Sequence, residues 1–196
     1  MPNIFYIADT HFGHENVIRF DNRPFSDVSE MEEIMVKNWN SKVTPEDTTY
    51  ILGDFCWGNQ KDAARIAERL NGKKILIRGN HDREMQGEAR KSFQTIKEVH
   101  RIKDAGRSVI MCHYPMPFYK HDYDASTYML YGHVHITYEH DLMEECRKLI
   151  LQKDKRVLTS RNRCQFYNCW CGFYGYTPAT LDEIVAYWSK VYEQAE

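Results

Sequence analysis

Nowhere in these 196 residues is there an apolar run approaching the ~20 residues that a membrane-spanning helix needs. The opening, MPNIFYIAD, has neither a basic leading region nor a small-residue cleavage site. Both absences lead us to expect a cytoplasmic protein with no membrane partner. An excess of positive charge is missing too: 26 lysines and arginines against 28 acidic residues give a formal net charge of −2. That balance offers no broad basic field, so strong binding of duplex nucleic acid is not expected. A small anionic substrate stays compatible, because bound metal ions would add positive charge that the count omits. None of the six cysteines forms a C-x-x-C pair. Cys164, Cys169 and Cys171 cluster, but without the spacing of a structural zinc site, so they read as small apolar thiols in a reducing compartment. Internal repeats, low-complexity segments and linkers are absent as well.

What is present is globular. Hydrophobic residues make up 42% and charged residues 28%, which separates the chain from disordered sequences. Its length suits one domain spanning residues 1–196. A short apolar strand is predicted from Asn3 to Ala8, and Asp9 follows at once. A helix is predicted around Asp27–Trp39, with Ser29 and Glu32 as a capping box and Met31, Ile34, Met35 and Trp39 on one face. Strands are predicted at Asp47–Leu52 and Lys74–Ile77, with a helix at Asp62–Leu70 between them that Asn71-Gly72 stops. Later strands, Ser108–Cys112 and Tyr128–Tyr131, read as antiparallel or mixed. A charged helix over about 137–152, further strand over about 156–174 and a final helix from Leu181 to Tyr192 complete the pattern.

Five short blocks each follow a predicted strand: Asp9-Thr10-His11, Gly53-Asp54, Gly79-Asn80-His81-Asp82, His113 and Gly132-His133-Val134-His135. Six of the nine histidines lie in or beside them, which is not the scatter of surface residues. In layered α/β folds, sites form beyond the carboxyl ends of strands. Imidazole, carboxylate and amide oxygen together suit borderline divalent ions: manganese, iron, zinc, cobalt or nickel. A carboxylate can bridge two ions, and a pair of ions can clamp both oxygens of an in-line displacement. Gly53, Gly79 and Gly132 allow tight turns and close backbone approach.

In this order the blocks resemble the signature of the calcineurin-like metallophosphoesterase superfamily, in particular its small bacterial and phage members. The resemblance implies a four-layer α/β/β/α sandwich of two mixed sheets flanked by helices. It implies two divalent transition metal ions, a metal-bound hydroxide as nucleophile, and hydrolysis of a phosphodiester or phosphomonoester. Asp9, His11, Asp54 and His135 would hold the first ion. Asp54 would bridge to the second, completed by Asn80, His113 and His133. His81 would assist the leaving group and Asp82 would orient His81.

His14 and Arg78 are expected substrate contacts, each with a plain alternative: a histidine bonded within its loop and a structural ion pair. The aromatic residues near the blocks are pocket wall or stacking surfaces for a nucleobase, and Tyr114–Tyr128 reads as a loop over the site. The substrate expected is small, phosphorylated and compatible with a nucleotide. Another reading is a non-catalytic metal-binding scaffold for protein–protein interaction, as in a retromer subunit of similar fold. Such relatives typically lose motif residues, whereas all seven ligand positions and His81 are intact here.

Overall fold

The computed structural model describes residues 2–153 and 165–194. Two four-stranded sheets form the centre. The first contains β1 (Ile4–Ile7), β2 (Thr48–Ile51), β3 (Lys73–Ile77) and β4 (Thr95–Lys97), side by side in chain order. The second contains β5 (Val99–Asp104), β6 (Arg107–Cys112), β7 (Thr127–Tyr131) and β8 (Phe166–Asn168). The helices are α1 (Glu15–Phe20), α2 (Val28–Lys42), α3 (Gln60–Arg69), α4 (Gly87–Lys91), α5 (Tyr138–Lys153) and α6 (Leu181–Gln194).

Strand alternation generates the layers. Phe5, Ile7, Ile51 and Leu76 join a core with Met31, Met35 and Trp39 of α2 and Ile66 of α3. Their sequence neighbours Tyr6, Tyr50, Ile75 and Ile77 point the other way and meet Val109, Met111, Tyr128, Leu130 and Tyr167 of the second sheet. The opposite face of that sheet, with Ile110, Met129 and Phe166, packs against Met143 and Ile150 of α5. Side chains of period two on strands buried on both faces therefore yield helix, sheet, sheet and helix in succession. This is the four-layer α/β/β/α arrangement.

The structure also refines several expectations. The first sheet is parallel throughout its four strands, because helical crossovers join them. Only the second is mixed: β5 runs antiparallel to β6, while β7 and β8 are parallel to their neighbours. Helix α2 is capped by Asp27, whose carboxylate accepts from the Glu30 backbone at 2.9 Å, and not by Ser29. Glu30 reaches back to the Ser26 amide, and Glu32 pairs instead with Arg65. Of the expected strand over 156–174, residues 156–164 lie outside the described residues. Phe166–Asn168 is strand, and Cys171–Tyr174 is a 3-10 turn. Helices α1 and α4 and strands β4 and β5 are additions, all of them short or too exposed to show a clear apolar period. Among the described residues no helix is long and apolar enough to cross a membrane.

Residues 169–171 stitch the two sheets together where the blocks emerge. Ala8 donates to the Cys169 carbonyl, Cys169 donates to Tyr131, and Cys171 donates to Ala8. Cys169 and Cys171 are buried thiols, with Sγ contacts to the Tyr167 and Asp9 carbonyls. Burial pushes both up, the Cys171 thiol to about 12, so neither is a thiolate at neutral pH.

Helix α3 begins with a complete capping box. Asn59 accepts from Lys61 and Asp62, and Asp62 accepts from the Asn59 amide. Asn59→Ala is expected to cost about 1 kcal/mol. In a chain of this length that lowers the melting temperature by roughly 2–4 °C. An unchanged melting temperature in calorimetry would show that the box contributes nothing.

Candidate metal centre

Three of the five blocks leave their strands on an unusual backbone. Asp9, His11, Asp54, His133 and His135 all adopt positive φ, between 40° and 73°. For residues other than glycine this costs of order 1–3 kcal/mol each and persists only where the surroundings enforce it. At these three strand ends the backbone turns sharply, which aims the side chains at one point. The neighbouring glycines make room. A Cβ on Gly132 would lie 2.7 Å from the Asp9 carboxylate, and one on Gly79 would collide with Asp54.

Two clusters result. In the first, the donor atoms of Asp9, His11, Asp54 and His135 all lie within 4.8 Å of one another. His11 Nε2 is 3.2 Å from His135 Nε2 and 3.5 Å from Asp54 Oδ2, and His135 Nε2 is 3.7 Å from Asp9 Oδ1. In the second, Asn80 Oδ1 is 2.8 Å from His113 Nε2 and 2.9 Å from His133 Nδ1. His113 Nε2 is also 3.6 Å from Asp54 Oδ2. Donors placed ~2.1 Å from one ion stand roughly 3–3.5 Å apart, so both clusters have the dimensions of an ion's coordination shell. Asp54 Oδ2 belongs to both.

The donor chemistry fits a cation as well. Burial raises the pKa of Asp9 and Asp54, with the neighbouring histidines pulling the other way. An ionised carboxylate in such a place needs a positive partner. The imidazoles cannot supply it: burial lowers the pKa of His11, His113 and His133, which favours the neutral, metal-competent form. His135 differs. Burial alone would lower it, but Asp9 and its hydrogen-bond partner Asp21 hold it above the ordinary value.

Outer contacts set which nitrogen faces inward. His113 Nδ1 donates to the Leu52 carbonyl at 2.8 Å, which frees Nε2 for the cluster. His135 Nδ1 lies 2.8 Å from Asp21 Oδ1, with the same consequence. Arg23, itself buried, grips Asp21 through Nε and Nη2 and donates to the Asp9 and Thr10 carbonyls. Asn168 donates to the His135 carbonyl. Asp21, Arg23 and Asn168 were not singled out in the sequence. The local run Phe20-Asp21-Asn22-Arg23-Pro24-Phe25 is polar between two aromatics, but nothing in it says which histidine it meets.

Asp82 was expected to orient His81. Its oxygens accept instead from the backbone amides of Asp54, Phe55 and Gly79, at 2.8, 2.9 and 2.8 Å. It therefore clamps the loop after β3 to the loop after β2. His81 donates its own backbone N–H to Asp54 Oδ1 at 2.9 Å, which leaves Oδ2 for the two clusters. The His81 ring faces a cavity of about 490 Å³ that both clusters adjoin. His14, Phe20 and Trp57 form its aromatic wall. The His14 ring stacks on Trp57, 4.1 Å between centroids and 9° from parallel. Arg78 takes no part in this lining and lies 3.4 Å from Glu98. From the loop after β6, Tyr114 packs on His133 at 4.7 Å, but the cavity lining draws no residue from 114–128.

Residues 3–152 match the family model described as the calcineurin-like phosphoesterase superfamily domain. The chain belongs to that superfamily. An uncharacterized protein of Methanocaldococcus jannaschii is 36% identical over 154 residues, covering 76% of this chain and 80% of that one. The gene 66 protein of Mycobacterium phage L5 is 33% identical over 135 residues, 59% of this chain and 64% of its own. Among solved structures, a protein of unknown function from Aquifex aeolicus aligns over 95% of this chain and 99% of its own, with a TM-score of 0.61 and 28% identity. The likeness to that structure extends across nearly the whole chain, while the family match ends at residue 152.

The Asp21–His135 contact supports the centre from outside. Asp21→Asn is expected to weaken metal affinity about 10–100-fold, as outer partners of ligating histidines commonly do. Calorimetric titration with manganese reads this directly. Unchanged affinity would mean that Asp21 serves Arg23 alone.

Proposed function

We propose that the protein is a phosphoesterase that uses two divalent transition metal ions to hydrolyse a small phosphorylated substrate, a phosphodiester or phosphomonoester. The observation that carries this reading is the position of Asp54 Oδ2, 3.5 Å from His11 Nε2 and 3.6 Å from His113 Nε2. One oxygen between two histidine clusters is what a bridging carboxylate requires.

Asp9, His11, Asp54 and His135 would hold one ion, and Asp54, Asn80, His113 and His133 the other. Manganese, iron, zinc, cobalt and nickel all suit this mixture of nitrogen and oxygen donors. Bound ions of this kind supply Lewis acidity at the phosphoryl oxygens and lower the pKa of water. The protein supplies the rest. Asp82 holds the Asp54 backbone amide, the His81 amide fixes the Asp54 carboxylate, and Leu52 and Asp21 fix the tautomers of His113 and His135. His81 stands at the cavity with its ring 5.7 Å from that of His11. An imidazole there can donate a proton to the departing ester oxygen. The cavity's volume of about 490 Å³ suits a small molecule.

The test is hydrolysis of bis(p-nitrophenyl) phosphate and p-nitrophenyl phosphate with and without added manganese. Turnover is expected to require the metal and to be lost in Asp54→Asn. His81→Ala is expected to reduce turnover about 10²–10⁴-fold while the metal content stays unchanged. Equal loss of metal and turnover in His81→Ala would make His81 a ligand. A folded, manganese-loaded protein that hydrolyses neither ester would contradict the reading.

A further inference from the structure

A second cavity, of about 290 Å³, adjoins the first. It is lined by Trp57, Gly58, Asn80, His81 and Arg83, and three of these, Trp57, Asn80 and His81, line both cavities. A substrate phosphoryl group beside Asn80 and His81 would therefore have its next chemical group directed toward Trp57 and Arg83.

Those two residues are conspicuous. The chain has four tryptophans, and Trp39, Trp170 and Trp188 are buried while Trp57 is 44% exposed. Its plane is held in place by the stacked His14 ring and by His81, whose centroid lies 5.0 Å away. An exposed, fixed indole is a ready platform for another flat ring. Arg83 makes no hydrogen bond or ion pair with any described residue. By contrast Arg23, Arg65, Arg69 and Arg107 each pair with a carboxylate. An exposed guanidinium with no partner among the described residues, lining a cavity beside a phosphoryl site, is suited to a second phosphate, which it can bind with two parallel hydrogen bonds.

We propose that this cavity is a leaving-group subsite for a nucleoside monophosphate, with the base on Trp57 and the phosphate on Arg83. The inference rests on the two-metal phosphoesterase reading and extends it from esters to a phosphoanhydride substrate class, nucleoside diphosphates. Water oxygen bonds to the terminal phosphorus, and the bond from that phosphorus to the bridging oxygen breaks. The bridging oxygen leaves with the electron pair on the nucleoside monophosphate, and the proton lost by the water passes to solvent.

The non-hydrolysable probe is α,β-methylene-ADP, with AMP and methylene diphosphonate as the fragments lacking the second phosphate or the base. In manganese-loaded protein the probe is expected to quench tryptophan fluorescence saturably. Trp57→Phe should abolish the quench, since the other three tryptophans are buried. Competition against bis(p-nitrophenyl) phosphate should rank α,β-methylene-ADP about tenfold tighter than either fragment. Arg83→Gln should remove the advantage over AMP. Equal affinities for the probe and methylene diphosphonate would overturn the base platform, and an unchanged probe affinity in Arg83→Gln would overturn the phosphate contact. Absence of quenching in protein that hydrolyses the diester would sink the subsite and leave the phosphoesterase reading standing. Saturable, Trp57-dependent quenching in protein without diester turnover would do the reverse.

Discussion

One buried carboxylate organises this molecule. Asp54 leaves the end of β2 at positive φ, with one oxygen tied to the His81 amide and the other facing histidines from both sheets. Burial makes its ionised form costly, as it does for Asp9. The surroundings suit a cation: imidazoles, an amide oxygen and carboxylates converge, and among the described residues no lysine or arginine pairs with the Asp9 or Asp54 carboxylate. Arg23, the nearest buried guanidinium, is spent on Asp21 and on backbone carbonyls. A centre of this composition is suited to metal ions.

The two sheets exist in register with this demand. Side-chain alternation buries both faces of the central strands β1, β2, β6 and β7, and their ends carry most of the polar ligand types. Residues 169–171 join the edge of the first sheet to the second, so that Asp9 and the His133–His135 loop share one locus. Strain is concentrated at that locus as well: five of the nine described non-glycine residues at positive φ are expected ligands, Asp9, His11, Asp54, His133 and His135. Glycine at 79 and 132 completes the geometry, since any Cβ there would occupy space taken by Asp54 or Asp9.

Much of this was legible in the residues. Strands ending near Asp9, Asp54, Asn80, His113 and His133 are visible because short apolar runs stop at polar ligand types, while the four layers were implied by the family resemblance. Less visible was whatever depends on contacts distant in sequence. Asp21 meets His135 across 114 residues, and Asp82 serves the Asp54 loop although it sits next to His81. Local spacing carries no information on either. The α2 cap was misplaced by two residues because Asp27 and Ser29 both stand three residues before a glutamate, and only the helix start decides between them. β5 was missed because it alternates between half-buried and exposed residues and so lacks an apolar run. Trp57 was legible as an aromatic near the site, but its stacking on His14 and its place beside Arg83 emerge only in three dimensions.

The central claim is that two ions share Asp54, and anomalous diffraction from manganese-soaked crystals tests it most directly. The account predicts two peaks about 3.5–4 Å apart, both within bonding distance of Asp54, one beside His11 and His135 and the other beside His113 and His133. A single peak under saturating manganese, or two peaks of which only one contacts Asp54, would contradict it.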